Sequence, residues 1–331
     1  MSDKIKVISV KNISKSFRVP KKPKSTLKKI ANLFVKAKKK KQIIKDLSFD
    51  IYKGDIVGYI GENGSGKSTT IKMLTGIYPP SSGKITCLGK NPFEQRIDYV
   101  KDIGVVFGNK SLLNQDIAPI YSIELQAAIY DIPEKLAKKK INQFAKKLQV
   151  EKLLKTPVRK LSLGERMKFE IIASLLHNPK IIFLDEPTIG LDVIARERMI
   201  QFLKTVNEKE KTTIFLTTHN MDDIEEICNK IIILDYGKKV YDGNLKELKE
   251  IYANWKRITI VYNEKYNPFC DRDLEIIEKT DNVIVFKAPN KKLEEYLNKI
   301  TNCFEIIDLK IEEPTLKEIV KRIYADGYVP K

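Results

Sequence analysis

The sequence predicts an α/β protein of the βα type, followed by a second and smaller α/β unit. Three observations predict it. Short apolar runs of strand length alternate with segments of helical periodicity through the first two-thirds of the chain. A glycine-rich stretch, GENGSGKST at 61–69, stands between one such run and a helical pattern. After Gly243 the character changes, and three strand-like runs and two amphipathic segments fill the rest. The expected division is 1–243 and 244–331.

The elements follow in order. IVGYIG (56–61) reads as a buried strand ending in glycine, and Thr69 to Leu74 opens a helix. KITCLG (84–89) and IGVVFG (103–108) read as strands. From 120 to 158 the pattern turns helical. Pro133 and Glu134 start a helix whose Ala137, Ile141, Phe144, Ala145 and Leu148 share one face. Ser162 precedes another, with Met167, Ile171 and Leu175 inward, and HNP (177–179) stops it. His177 is read as a helix-end residue with no chemistry. IIFLDEP (181–187), a helix through Ile200 to Val206, TIFLTTH (213–219) and a strand–turn–strand about Tyr236–Gly237 complete the first unit. In the second, RITIVYN, VIVFKA and EIIDLKI are strands, and LEEYLNKI and PTLKEIVKRIY are helices.

Composition narrows the functional classes. The longest apolar runs, such as Ile181 to Leu184, are far shorter than the roughly 20 residues that span a bilayer. The N-terminus carries no signal-peptide apolar core. Four scattered cysteines (Cys87, Cys228, Cys270 and Cys303) fit a reducing cytoplasm better than a disulfide framework. Net charge is +18, yet residues 244–331 hold 16 basic and 16 acidic side chains, so the excess lies in the first unit. Within residues 21–41, ten of twenty-one are lysine and none is acidic. Nucleic acid, an acidic lipid surface and a merely solvated insertion all suit that charge.

GENGSGKST matches G-x-x-x-x-G-K-[ST] through Gly61, Gly66, Lys67 and Ser68. Glycines let the backbone turn tightly, so that its N–H groups ring a phosphate, with a helix N-terminus behind them. Gly61, Asn63, Gly64, Ser65, Gly66, Lys67, Ser68 and Thr69 are the expected nucleotide contacts. Lys67 is placed to reach the β- and γ-phosphates and the Ser68 hydroxyl to ligate Mg²⁺. In IIFLDEP two acids end a buried strand, which is costly unless they bind something. Asp185 suits the Mg²⁺ shell, and Glu186 suits polarising an attacking water. LSLGERM (161–167) puts Ser162 and Gly164 at a helix N-terminus.

In this order the motifs resemble those of ABC-transporter ATPases, from Val7 to about Gly243. GENGSGKS resembles the Walker A loop and LSLGE the signature usually seen as LSGGQ. IIFLDEP resembles Walker B, IGLD (189–192, with Asp192) the D-loop, TTH (217–219) the switch histidine, and Phe17 the aromatic that stacks on adenine. The resemblance implies a P-loop NTPase core with an inserted helical subdomain at about 110–178 and a small C-terminal α/β accessory domain. It also implies ATP and Mg²⁺, and a dimer, of identical or similar subunits, in which each ATP lies between one Walker A loop and the partner's signature. On it, Ser162, Leu163, Gly164 and Glu165 act in trans, Glu186 activates water and His219 senses the γ-phosphate. Two departures stand out. Leu163 replaces a usual glycine, with Glu165–Arg166 where the glutamine falls. After the VVF strand, Gly108 holds the place of a glutamine, so its Mg²⁺ contact is carried over to Asn109.

The resemblance points to the ATP-hydrolysing subunit of an exporter, peripheral on the cytoplasmic face and paired with separate transmembrane permeases. Alternatives are a surface-polysaccharide or teichoic-acid exporter and a soluble ABC ATPase acting on nucleic acid. One phosphate loop and no heptad run speak against the last. The lysine-rich stretch then becomes an insertion at about 20–42, with Leu27, Ile30, Ala31 and Phe34 on one helical face, facing acidic headgroups or the permease.

Overall fold

The computed structural model describes residues 5–20, 38–108, 110–252, 254–266 and 274–326. They form two compact units, 1–242 and 243–331.

The first unit holds two sheets. β1 (Lys6–Pro20), β2 (Lys38–Tyr52) and β4 (Ser82–Cys87) form an antiparallel sheet in the order β2-β1-β4. β3 (Ile56–Gly61), β5 (Ile103–Val106), β6 (Ile181–Asp185), β7 (Thr213–Thr217), β8 (Lys230–Asp235) and β9 (Lys238–Asn244) form the other, ordered β5-β6-β7-β3-β8-β9. Its pairs from β5 through β8 are parallel. Strands covered on both faces must be apolar throughout, and Ile56–Ile60, Ile181–Leu184 and Ile231–Leu234 are fully buried runs. Between the sheets lies a core that includes Ile8, Phe49, Tyr59, Phe183, Phe215 and Leu234. Tyr236 and Gly237, at φ 40° and 81°, make the tight β8–β9 turn.

Helices follow the strands. α1 (Lys67–Leu74) leaves β3, and α2 (Arg96–Val100) precedes β5. α3 (Pro119–Ile129), α4 (Glu134–Lys147) and α5 (Leu163–Leu175) lie between β5 and β6. α4 buries Ala137, Ile141 and Ala145 at four-residue spacing, with Glu134 in its first turn and Lys146 and Lys147 in its last, each favourable to the helix dipole. α5 is buried on nearly every side, from Met167 to Leu175. α6 (Val193–Glu210) and α7 (Met221–Ile227) flank β7. Just after α5, His177 Nε2 donates to the Ile103 carbonyl at 2.9 Å, and its ring stacks on Tyr130 at 3.9 Å.

The expected insertion at 20–42 overlaps the ends of two paired strands. Lys38 to Lys41 belong to β2, paired with Pro20, Val19, Arg18 and Phe17. β2 is an edge strand, where lysine discourages pairing with another chain. Residues 21–37, including Leu27, Ile30, Ala31 and Phe34, lie outside the described residues.

The second unit is a four-stranded antiparallel sheet, β11 (Glu275–Lys279), β12 (Val283–Pro289), β10 (Trp255–Tyr266) and β13 (Phe304–Glu312), in that order. α8 (Leu245–Tyr252), α9 (Leu293–Cys303) and α10 (Leu316–Asp326) accompany it. Ile258, Ile260, Ile284 and Phe286 centre its core. α8 and β11 were not among the elements expected from the sequence; β11 is exposed along its length and lacks a buried apolar stripe.

Candidate functional site

The phosphate loop is built by backbone conformation. Gly64 and Gly66 have φ 85° and 109°, in the left-handed region that favours glycine. A side chain at Gly66 would also meet Ile44 at 2.3 Å. Gly66 is the N-cap of α1; no side chain caps this end and no acidic residue stands in its first turn. The positive end of the helix is therefore left for an anion. Ser65 Oγ is buried with no hydrogen-bond partner among the described residues, a donor suited to a ligand oxygen. Lys67 Nζ donates to the carbonyls of Gly61 at 2.6 Å and Glu62 at 3.2 Å. Burial lowers the Lys67 pKa, against the opposing pull of Glu186 and Asp185. Asn63, Gly64 and Ser68 are exposed, and Thr69 is half-buried. Behind the loop, the Tyr59 hydroxyl donates to Thr70, which donates to the Gly66 carbonyl.

Asp185 and Thr217 are register partners at the ends of β6 and β7. Thr217 Oγ1 donates to Asp185 Oδ1 at 2.5 Å. Glu186 follows in the left-handed region at φ 59°, its amide held by the Thr217 carbonyl at 3.0 Å. Its carboxylate meets His219 twice: Oε1 lies 3.1 Å from Nε2, and Oε2 accepts from the His219 amide at 3.2 Å. Burial raises the Glu186 pKa and Asp185 adds to it, while His219 and Lys67 oppose the rise. The ends of β3, β6 and β7 thus bring Lys67, Asp185, Glu186 and His219 to one edge of a parallel sheet, where such folds bind ligands.

For Mg²⁺, Ser68 and Asp185 offer hard oxygen donors of the right kind. No group of three or more His, Cys, Asp or Glu able to hold a metal occurs among the described residues. Gly108 packs beside Asp185: a Cβ built on it would lie 3.4 Å from the Asp185 carbonyl. Asn109 itself lies outside the described residues.

The other expected site residues make their contacts with other partners. Ser162 is the N-cap of α5 and forms a reciprocal capping box with Glu165. Ser162 Oγ accepts from the Glu165 amide at 3.2 Å, and Glu165 Oε2 accepts from the Ser162 amide at 2.8 Å. Gly164 is buried where a Cβ would meet the Gly190 carbonyl at 2.6 Å. Leu163 is 41% exposed and lies over Gly190, which has φ 72°. Its bulk is thus accommodated against 189–192. Asp192 caps α6, accepting from the Ala195 amide at 2.8 Å. Phe17 meets Tyr78 edge-on at 5.5 Å, with Lys15 Nζ 5.3 Å from its ring centre.

Two buried carboxylates near the site were not expected. Glu170 accepts from the Ser111 hydroxyl and the Leu112 amide, holding the segment after β5. Asp223 accepts from Thr188, Thr218 and Arg196. The first is an acid on a buried helical face, a pattern visible in the sequence. For Asp223, in MDDIEEI, nothing local marks it among four neighbouring acids.

Comparison with known proteins agrees with this geometry. The ABC transporter family model matches residues 44–189. The ABC transporter ATP-binding protein NatA of Bacillus subtilis is 31% identical over 225 residues, covering 68% of this chain and 91% of that protein. The linearmycin resistance ATP-binding protein LnrL of the same organism is 32% identical over 213 residues, covering 64% and 68%. A dimeric ATP-binding cassette solved in a post-hydrolysis state with ADP and Pi superposes with TM-score 0.61 at 23% identity, covering 72% of this chain and 98% of that one. No helix among the described residues is long and apolar enough to cross a membrane. The chain belongs to the ABC transporter ATP-binding protein family, and it is an ATPase of the P-loop fold.

Proposed function

We propose that this chain is the ATP-hydrolysing subunit of an ABC exporter, working as a dimer beneath separate transmembrane permeases. The observation that carries the catalytic part is the double contact between Glu186 and His219 beside Asp185 and Lys67. The phosphate loop and Lys67 hold the β- and γ-phosphates. Ser68 and Asp185 hold Mg²⁺, which neutralises phosphate charge when bound. Asn109, next in sequence after Gly108, takes the amide role. Glu186, its carboxyl tuned upward by burial, accepts a proton from the attacking water. His219 orients that carboxylate and reports the γ-phosphate. Phe17 stacks on adenine.

Ser162 and Gly164 head a helix whose packing partner is the 189–192 turn of the same chain. Their phosphate is that of a second subunit, with Leu163 and Glu165 shaping the helix start and Asp192 fixing the turn beneath. Export rather than import is favoured by the likeness to a resistance protein. Docking to a permease is supported by α3, where Tyr121, Leu125 and Ile129 are about 60% exposed at four-residue spacing. On this reading residues 244–331 form an accessory domain, and the chain sits peripherally at the cytoplasmic face, its lysine-rich 21–41 stretch toward acidic headgroups.

Substituting Glu186→Gln tests the assignment. It keeps the shape but removes the base, so turnover should fall by about two orders of magnitude or more, with ATP bound and the dimer trapped in size-exclusion chromatography. Unchanged hydrolysis would remove Glu186 from the role.

A further inference from the structure

A single buried carboxylate ties together the two segments that carry Glu186 and His219. Asp223, on α7, is 2% exposed. Its Oδ2 accepts from Thr188 Oγ1 at 2.5 Å and from Thr218 Oγ1 at 3.2 Å. Thr188 stands two residues after Glu186, and Thr218 immediately precedes His219. The hydroxyl is the donor in both bonds, because a carboxylate oxygen only accepts; Thr218 Oγ1 itself accepts from the Asn220 amide at 3.0 Å. The other oxygen, Oδ1, accepts from Arg196 Nε. Arg196 lies in the first turn of α6, its amide bonded to the Asp192 carbonyl at 2.8 Å. Behind it, Glu226 is 3.8 Å from Arg196 and 3.9 Å from Lys204.

The chemistry of this arrangement is specific. A carboxylate removed from water must be compensated, and here it is compensated by one guanidinium and two hydroxyls. Each hydroxyl belongs to a different strand-end loop. Neither Thr188 nor Thr218 is placed at the reacting atoms, and Asp223 is not either. Their shared acceptor nevertheless fixes the loop of Glu186 relative to the loop of His219. It also connects both to the helix that Asp192 starts.

We propose that Asp223 is a positioning residue for hydrolysis: by accepting both threonine hydroxyls at one oxygen it holds Glu186 in register with His219, and through Arg196 it makes that register follow the 189–192 turn. This rests on the catalytic reading of Glu186 and His219 given above. Asparagine at 223 would keep the volume but turn an amide NH₂ toward either the hydroxyls or the guanidinium, donor against donor. A misplacement of that kind, away from the chemistry, costs kcat while leaving the phosphate loop intact.

The test uses the full-length chain, with kcat, KM and the affinity for a fluorescent ATP analogue measured for D223N, T188V, T218V and their combinations. D223N is expected to lower kcat by about tenfold to a hundredfold, with nucleotide affinity within about twofold of wild type. T188V and T218V should each lower kcat, and their effects should largely vanish in the D223N background. Should D223N fail to fold, T188V and T218V decide: a shared acceptor predicts a combined effect smaller than the product of the two. A D223N enzyme with wild-type kcat, or threonine effects that multiply as independent sites, overturns the proposal. E186Q, run alongside, separates the two levels. If E186Q hydrolyses normally, the catalytic reading fails; if E186Q is inactive and D223N is normal, only the positioning role fails.

Discussion

Glu170 is 3% exposed, its carboxylate bonded to Ser111 and Leu112. Burial raises its pKa, against the opposing hydrogen bonds from Ser111 and Leu112. Between the ordinary value of 4.5 and the raised one, the folded chain holds this proton and the unfolded chain does not. Stability then falls as pH rises through that interval, because the folded state binds more protons. Glu170→Gln removes the titration. Its unfolding free energy relative to wild type, measured in urea across pH 4.5 to 7, should therefore rise with pH. A difference that stays flat would show that Glu170 titrates normally.

Among the elements, α5 shows how a signature segment also does structural work. The Ser162–Glu165 capping box satisfies amide groups at its start. Ser162→Ala should lower stability by about 1 kcal/mol, read as a shift in the thermal unfolding midpoint. Ser162→Asp keeps a capping oxygen and should keep the midpoint. If the hydroxyl also touches the partner's nucleotide, both variants lose ATPase activity, so the two measurements separate cap from contact. Legibility also varies by element. The loop at 61–69 and the acids at 185–186 are readable because a strand end, a turn and a helix start are contiguous in sequence. The Ser162–Glu165 box is legible too, because S-x-x-E is a local capping pattern. Asp223 is illegible because two of its three partners, Thr188 and Arg196, lie 35 and 27 residues away on other elements. The start of β2 is hidden in the sequence, because four lysines in a row mask a strand whose identity comes from its pairing with Phe17–Pro20.

At the scale of the whole molecule, charge and architecture divide along the same line. Residues 244–331 are neutral, and the excess of +18 belongs to the first unit. Ten of those positive charges fall within 21–41. Exchanging four of these lysines for glutamine should weaken sedimentation with vesicles containing acidic lipid, and the loss should shrink as salt is raised. Equal binding at low salt would leave the stretch a solvated insertion. The alternation of apolar runs makes the buried strands β3, β5, β6, β7 and β8 readable in order, and three of the four strands of the second unit. The spatial order β5-β6-β7-β3-β8-β9 is not, because it depends on crossovers that no local pattern encodes.

The left-handed backbone at Glu186 has a consequence for how this protein can be improved. A glutamate at φ 59° costs roughly 1 kcal/mol relative to a residue without a Cβ, and its carboxyl group loses further by burial. Glu186→Gly should therefore raise the unfolding midpoint of the nucleotide-free chain while hydrolysis disappears. A lower midpoint would show that the bonds to His219 outweigh the strain. Selection for thermostability alone would thus favour losing this residue, so a stabilised variant must be screened for turnover as well as for folding.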